Sequence, residues 1–249
     1  MSNISFGIKD LDKLMVDLKM MGGIISILSS PESGYEIISK AFLMANDSYR
    51  KVALIAKETK AEFENAVVKF NLGNISDVEI IDIGEIISKS YMQSMSTIAQ
   101  IFTSKRLDNF HKLFAMTEET TNKSAITLVI EKIYDRKKSK ILIDFLEFLV
   151  EETNFDRMTS FLNSIVSQAK HNNNFYILPI EIGLYPQLEK KLISNSDIVF
   201  KLYSEKDRSK QRVNIIETLK IKNYPYIRFT GVYSIVPGEG IVIERIERI

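Results

Sequence analysis

The chain has 249 residues, of which 45% are hydrophobic and 26% are charged, so it is long enough and apolar enough for a substantial globular core. Its 33 Lys and Arg residues almost balance its 32 Asp and Glu residues, and bulk charge therefore favours neither nucleic acid nor an anionic membrane as a partner. The absence of cysteine excludes disulfides and thiolate metal sites, and His111 and His171 have no second ligand at helical or turn spacing. We predict no metal site. No apolar run reaches the roughly 20 residues of a membrane span, and we expect a cytoplasmic protein.

Short apolar runs rich in Ile and Val alternate with helical patterns along most of the chain. The runs that predict strands are residues 23–29, 51–56, 78–83, 140–146, 174–180 and 197–203. Predicted helices carry apolar stripes between them, at Tyr35, Ile38, Phe42 and Ala45, after a capping box at Thr59–Glu62, and from Met158 to Ala169. Nearly continuous apolar strands that alternate with helices indicate a parallel sheet covered on both faces.

Two regions depart from this alternation. After residue 205, three strand-like runs follow one another without helices, which predicts antiparallel additions to the edge of the sheet. Residues 85–123 contain no assignable strand, and we interpret them either as an inserted helical elaboration or as longer versions of neighbouring helices. No linker or repeat divides the chain, so residues 1–249 are predicted to form a single domain.

Residues 27–37, "ILSSPESGYEI", have the strand, turn and helix setting of a phosphate-binding loop. A Walker A loop needs G-x-x-x-x-G-K-[ST], in which the lysine holds phosphate oxygens and the hydroxyl binds Mg²⁺. Aligned with that pattern, Ser29 replaces the first glycine and Gly34 keeps the second. Tyr35 then stands at the lysine position and Glu36 at the hydroxyl position. The setting of the motif is kept, but its chemistry is lost.

The order of motifs over most of the chain resembles the RecA-like ATPase domains, and within them the KaiC-like branch. "FGIKDLDKLM" and "GGIISILS" are similar to the family's "G-[IV]-x-x-LD-x-L" opening and its Walker A strand. "ALIAKET" resembles the strand that ends in the catalytic glutamate pair, and "KILIDFLEFL" resembles the Walker B segment with Asp144. "NSDIVFKL", "LKIKNY" and "GIVIE" are similar to the late strands, "LKIK" standing at the family's "K-M-R-G". The resemblance implies an α/β, RecA-like, mostly parallel sheet with helices on both faces and antiparallel C-terminal edge strands.

Departures from the family pattern fall on the residues that would bind nucleotide. The resemblance places the former nucleotide site at Ser29, Glu32, Ser33, Gly34, Tyr35, Glu36, Glu58 and Asp144. A lost or reversed charge contact there is worth about 4 kcal/mol at about 4 Å in an effective dielectric of about 20. Ser29 and Glu32 replace glycines that allow the backbone to wrap phosphates, and the first catalytic glutamate position reads Lys57. We therefore predict no nucleotide cofactor and no catalytic residue.

These residues also have interpretations that need no ligand. Tyr35 lies on the apolar stripe of its helix and is expected to pack in the core, with an aromatic platform for another ligand as the alternative. Asp144 ends a strand, and Glu58 precedes the capping box, where a surface or helix-dipole role is expected. The basic run at residues 135–140 is expected to be a solvated loop, because no aromatic residues interleave with its lysines to stack bases.

Three functions are compatible with the sequence. The first is a catalytically inactive RecA/KaiC-like protein that acts as a regulatory or assembly module through protein binding. The second is a divergent ATPase in which Lys57 or Lys40 replaces the missing lysine, and the third is a recombination accessory that binds single-stranded DNA. In family rings the "K-M-R-G" cations reach the neighbouring subunit's nucleotide, and this implies a trans contact for Lys220 and Lys222. Ion pairs of about 1 kcal/mol each would not hold a ring without nucleotide. We therefore expect a monomer or dimer alone, and larger assemblies only with a protein partner such as an active paralogue.

Overall fold

The computed structural model describes residues 4–89, 92, 124–206 and 211–248. In that part of the chain, nine strands form one sheet. In chain order they are β1 Gly23–Ser29, β2 Arg50–Ile55, β3 Val78–Asp82, β4 Ser139–Ile143, β5 Phe175–Glu181, β6 Ile198–Lys206, β7 Arg212–Ile221, β8 Phe229–Val236 and β9 Gly240–Arg248.

The strands are arranged in the order β3-β2-β4-β5-β1-β6-β7-β8-β9. The strands from β3 to β6 in this order pair in parallel, whereas β6–β7, β7–β8 and β8–β9 pair antiparallel. This confirms the predicted α/β sheet with antiparallel C-terminal strands. Strand β1 lies between β5 and β6. After β1 the chain passes to β2, on the β5 side of β1, and it later crosses to β6 on the other side. A crevice at such a switch point is the usual ligand position in α/β sheets.

Helices precede β1 and connect the parallel strands. Their bounds are α1 Lys9–Leu14, α2 Tyr35–Met44, α3 Lys60–Lys69, α4 Ala125–Ile133, α5 Leu146–Glu151, α6 Phe155–His171 and α7 Pro186–Asn195. The predicted capping box is present at the start of α3, where the Thr59 side chain accepts from the Glu62 N–H and the Glu62 carboxylate accepts from the Thr59 N–H. Helix α7 was not predicted, because it buries only Leu188 and Leu192 and its apolar stripe is therefore weak.

The structure corrects two details of the sequence interpretation. Strand β4 ends at Ile143 and not at residue 146, because Leu146 already begins α5 and packs in the helical layer. The basic run at residues 135–140 is not a solvated loop throughout, since Lys140 lies within β4 and is fully buried beside Asp47. Arg136 of the same run forms a bidentate ion pair with Glu79.

The sheet separates two hydrophobic cores. Along β1, Ile25 and Ile27 join the core that contains α2, whereas Ile24 and Leu28 join the core that contains α6. The first core also receives side chains from β8 and β9, which brings the antiparallel part of the sheet close to the start of α2. Residues 83–89 are helical, but most of the predicted elaboration at 85–123 lies outside the described residues. The single-domain assignment for residues 1–249 stays a prediction.

Candidate functional site

The loop between β1 and α2 is a closed turn. Residues Pro31–Ser33 form one turn of 3₁₀ helix, and the Ser33 N–H and hydroxyl both donate to the Ser30 carbonyl oxygen, at 3.1 and 2.7 Å. The Ser30 N–H donates in turn to the Leu202 carbonyl of β6 at 2.8 Å. Two backbone N–H groups of the loop are therefore occupied by the protein's own carbonyl groups. A phosphate-binding loop instead leaves its N–H groups pointing at the ligand.

Strand β8 covers this loop. The Tyr233 hydroxyl donates to the Ser33 carbonyl oxygen, and burial raises the pKa of that hydroxyl. Gly34 has φ +67°, and a Cβ at this position would lie 2.5 Å from Cδ1 of Ile235. The left-handed backbone favours glycine here, and a larger residue would also displace the terminal methyl group of Ile235. Glu32, on the outer side of the loop, is paired with Arg212 of β7.

Tyr35 begins α2 and is buried with 7% exposure as part of the first core. Beside it remains a pocket of about 160 Å³ at the carboxyl ends of the central strands. Its walls come from α2, the end of β2, and strands β4 and β5. The lining residues are Tyr35, Glu36, Ser39, Lys40, Lys57, Glu58, Leu142, Asp144 and Pro179. Tyr35 therefore packs in the core as expected and also forms a wall of the pocket, whereas its alternative role as a platform for a ligand stays a prediction.

Two ion pairs involve the lysines of the pocket. The Lys40 ammonium is 2.7 Å from Oε1 of Glu58 and lies over the Phe63 ring at 5.1 Å from its centroid. The Lys57 ammonium is 2.8 Å from Oε2 of Glu147, whose other oxygen accepts from the Glu181 N–H at 2.9 Å. Although partial burial of Lys57 opposes it, the bond to Glu147 raises the pKa of this lysine.

The same surroundings shift the pKa of the Tyr35 hydroxyl. Burial raises its pKa, and the nearby carboxylates of Glu36 and Glu147 act in the same direction, whereas Lys57 opposes them. At the usual pH of a cell the hydroxyl is therefore a neutral group.

Asp144 follows β4 and lies at the inner end of the pocket. The Ala56 N–H donates to its Oδ1 at 3.3 Å. Burial, and then the nearby Glu58 carboxylate, raise the pKa of Asp144 to about 7, although Lys40 opposes this shift. The Asp144 side chain is partly buried and lines the pocket.

The structure brings together four of the predicted site residues, namely Tyr35, Glu36, Glu58 and Asp144, which line the pocket. The others, Ser29, Glu32, Ser33 and Gly34, build or precede the neighbouring loop, and the Ser29 hydroxyl donates to the Ile180 carbonyl at 3.2 Å. Glu58 is partly buried and pairs with Lys40, a contact that the expected surface or helix-dipole role did not include.

Sequence reasoning missed Glu147. It is buried with 6% exposure and joins Lys57 of the β2 end to the backbone of β5. An acid inside the otherwise apolar "FLEFL" was the available signal, because a buried carboxylate needs partners.

Lys220 and Lys222 lie at the opposite, amino-terminal edge of the parallel sheet. The Lys220 ammonium donates to the carbonyl oxygens of Ile193 and Ser194 at the end of α7, at 2.8 and 2.9 Å. The Lys222 ammonium is 3.5 Å from Oδ1 of Asp197. Both cations therefore have partners within their own chain, and their trans contact with a neighbouring subunit stays a prediction.

Comparison with known structures agrees with this architecture. A KaiC-like protein from the hyperthermophilic archaeon Pyrococcus horikoshii superposes with a TM-score of 0.65 at 10% identity, over 98% of this chain and 99% of that chain. The flagellar accessory protein FlaH from Methanocaldococcus jannaschii superposes with a TM-score of 0.64 at 16% identity, over 97% of this chain and 98% of that chain. This chain has a KaiC-like fold.

The superposition covers nearly the whole length of this chain and of both comparison structures. The loop between β1 and α2 of this chain nevertheless has the closed geometry described above. No family profile and no curated protein sequence matches the chain. Among the described residues, no cluster of three or more His, Asp or Glu side chains could hold a metal ion. No helix in the same residues is long and apolar enough to cross a membrane.

Proposed function

We propose that this chain is a catalytically inactive KaiC-like protein that acts through protein binding, as a regulatory or assembly module of the cytoplasm. One observation carries the proposal: both ammonium groups at the former nucleotide site, on Lys40 and Lys57, are held by carboxylates of the same chain. A triphosphate needs at least one such cation free to approach its oxygens.

The charge of the pocket argues against an anionic ligand. The carboxyl groups of Glu36, Glu58 and Asp144 line it, and Glu147 holds Lys57 at its mouth. Against these four carboxyl groups stand the two lysines and the partial positive charge at the start of α2.

The divergent ATPase is the less favoured function for a structural reason. Lys40 is 3% exposed and is fixed between Glu58 and the Phe63 ring, so moving it to a phosphate would break a buried pair. Lys57 is more accessible, but its transfer to phosphate would leave the buried Glu147 carboxylate without a counter-ion.

The DNA-binding alternative gains little from the basic run at residues 135–140, in which Lys137 and Lys138 are the exposed lysines. Arg136 is engaged by Glu79, and Lys140 is buried. The observations that favour nucleic acid are therefore fewer than the sequence offered.

Isothermal titration of the wild-type chain with Mg-ATP and with Mg-ADP tests the proposal. We expect no saturable heat up to about 1 mM nucleotide, which corresponds to less than about 4 kcal/mol of binding free energy. A dissociation constant below about 10 µM that weakens in Lys57→Ala would support the ATPase instead. Arg50→Ala, at the far end of β2, is the matched control for loss of a cation.

A further inference from the structure

The pocket beside Tyr35 keeps uncompensated negative charge after its internal ion pairs are formed. Lys40 is used by Glu58 and Lys57 by Glu147, whereas Asp144 and Glu36 belong to neither pair. Glu36 is exposed at the mouth of the pocket, and Asp144 lies inside it. The remaining charge therefore favours a cation that enters past Glu36 and reaches Asp144.

The position of Asp144 supplies a second, independent reason. Its Oδ1 accepts from the Ala56 N–H, but within the described part of the chain no donor meets its Oδ2. Asp144 is only partly buried, so its Oδ2 is open to solvent and to a donor. The pocket leaves open the side from which a donor could come.

The walls of the pocket limit the shape of the cation. Tyr35 provides an aromatic wall, and Leu142 and Pro179 provide apolar surface from two neighbouring strands. A volume of about 160 Å³ suits the end of one side chain. A guanidinium is planar, weakly hydrated, always charged, and able to stack on an aromatic face while it donates two bonds to a carboxylate.

We propose that this pocket binds the guanidinium group of an arginine side chain carried by a partner protein, with Asp144 as its inner acceptor and Glu36 at its mouth. This rests on the proposed function, because it requires a site without nucleotide and a protein that acts by binding. It goes further by naming the chemistry of the partner at that site.

The electrostatic surroundings predict how the affinity depends on pH. The groups that face Asp144 are Tyr35, Glu36 and Lys40 of α2, Lys57 and Glu58 after β2, and Glu147 of α5 beyond Lys57. The guanidinium keeps its charge throughout, whereas Asp144, with its pKa of about 7, is mostly protonated at about pH 6 and mostly ionised at about pH 8. Since the guanidinium prefers the carboxylate, affinity should be about tenfold higher at about pH 8.

The test uses a blocked tripeptide, acetyl-Gly-Arg-Gly-amide, titrated into the ¹⁵N-labelled full chain and followed by NMR. We expect a dissociation constant on the order of 1 mM at about pH 8, with shifts at residues 35–40, 56–58 and 144. The tripeptide with citrulline in place of arginine has the same shape without the charge and should not bind. Asp144→Asn should weaken binding at least tenfold and Glu36→Gln about threefold, whereas Asp17→Asn, at an exposed site outside the pocket, should leave it unchanged.

Each contrary outcome has a separate meaning. Equal binding of the arginine and citrulline tripeptides, or binding that is unaffected by Asp144→Asn and by Glu36→Gln, would overturn the guanidinium site. Free arginine that binds tenfold more tightly than the tripeptide would overturn the assignment to a partner's side chain and indicate a small metabolite. Mg-ATP is titrated in the same way: if neither ATP nor the tripeptide shifts these signals, the inference fails and the proposed function stands. If ATP binds at these residues, the proposed function fails.

Discussion

The Lys57 ammonium and the Glu147 carboxylate lie 2.8 Å apart and join the end of β2 to the first turn of α5. Glu147 also accepts from the Glu181 N–H of β5, so one buried carboxylate ties together three elements at the carboxyl edge of the sheet. This arrangement stabilises the edge without a ligand and, at the same time, neutralises the cation that is nearest to Tyr35. The contact that stabilises this edge is thus also one on which the proposed loss of nucleotide binding rests.

The first prediction concerns the two partners of Glu147. Glu147→Gln keeps an acceptor for the Glu181 N–H but loses the charge, whereas Glu147→Ala loses both and leaves a partly buried N–H without its acceptor. The alanine variant should therefore lower the free energy of unfolding by about 1–2 kcal/mol more than the glutamine variant. Urea unfolding of the two variants and of the wild type measures this difference. Equal destabilisation by both would mean that the hydrogen bond to β5 contributes nothing.

The second prediction concerns the pH dependence of stability through Asp144. Its pKa is about 7 in the folded chain and about 3.8 unfolded, so the folded state binds more protons between these values. The contribution of Asp144 to stability is therefore greatest below about pH 4 and is lost as pH rises through about 7. Asp144→Asn removes this dependence, and its stability relative to wild type should increase by up to about 3 kcal/mol from about pH 5 to about pH 8.

Urea unfolding at a series of pH values measures how the stability of Asp144→Asn relative to wild type changes with pH. Asp17→Asn provides the matched control, because the same chemical change at an exposed position should produce a difference that stays nearly constant with pH. A variant Asp144→Asn that lost stability relative to wild type as pH rose would show that Asp144 is ionised and favourably paired in the folded chain.

The third prediction concerns repair of the Walker A residues. Tyr35→Lys combined with Glu36→Thr restores the two key side chains, but we expect no micromolar affinity for Mg-ATP. The Ser33 N–H remains bonded to the Ser30 carbonyl, and Tyr233 still holds the loop from above. A new lysine at position 35 would moreover find the Glu147 carboxylate nearby. Micromolar binding by the double variant, measured by calorimetry, would show that the loop opens readily once the side chains allow it.

The fourth prediction isolates the contact between β8 and the loop. Tyr233→Phe removes the hydroxyl that donates to Ser33 while keeping the buried ring, and it should cost about 1 kcal/mol of stability. Hydrogen exchange at residues 30–36 should become faster in this variant than in Tyr203→Phe, which removes a hydroxyl from β6 outside the loop. Unchanged exchange at the loop would mean that β8 does not hold it closed.

The fifth prediction concerns assembly. We expect light scattering to give a monomer or dimer in nucleotide-free buffer, since Lys220 and Lys222 have partners within their own chain. Lys220→Ala should therefore lower stability, because the last carbonyl groups of α7 lose their donor, and it should do so without changing the molecular mass. A stable hexamer that dissociates in Lys220→Ala plus Lys222→Ala would instead assign these lysines to a subunit contact.

The fold was largely predictable, because its strands are marked by uninterrupted apolar runs. The run at residues 23–29 coincides with β1, and the capping box at Thr59–Glu62 begins α3 as predicted. Short elements with weak periodicity escaped prediction: α7 buries two leucines among polar residues, and α5 has six residues directly after a strand. In both cases the pattern is too short for its period to be recognised.

The site was predictable as a place but not as a set of interactions. Tyr35, Glu36, Glu58 and Asp144 were assigned correctly to one region, since the carboxyl ends of parallel strands meet at one edge. The pairing of Lys40 with Glu58 depends on how deeply α2 packs against α3, and the pairing of Lys57 with Glu147 depends on where β4 ends. Neither distance is encoded in the spacing of residues along the chain.

The central claim is that carboxylates of the chain itself hold the cations of the former nucleotide site. A crystal structure determined after soaking with a non-hydrolysable Mg-ATP analogue tests it most directly. The account predicts that Lys40 stays paired with Glu58 and Lys57 with Glu147, and that no phosphate density lies between Ser30 and Glu36. Phosphate density at the start of α2, with either lysine released from its carboxylate and bound to a phosphate oxygen, would contradict it.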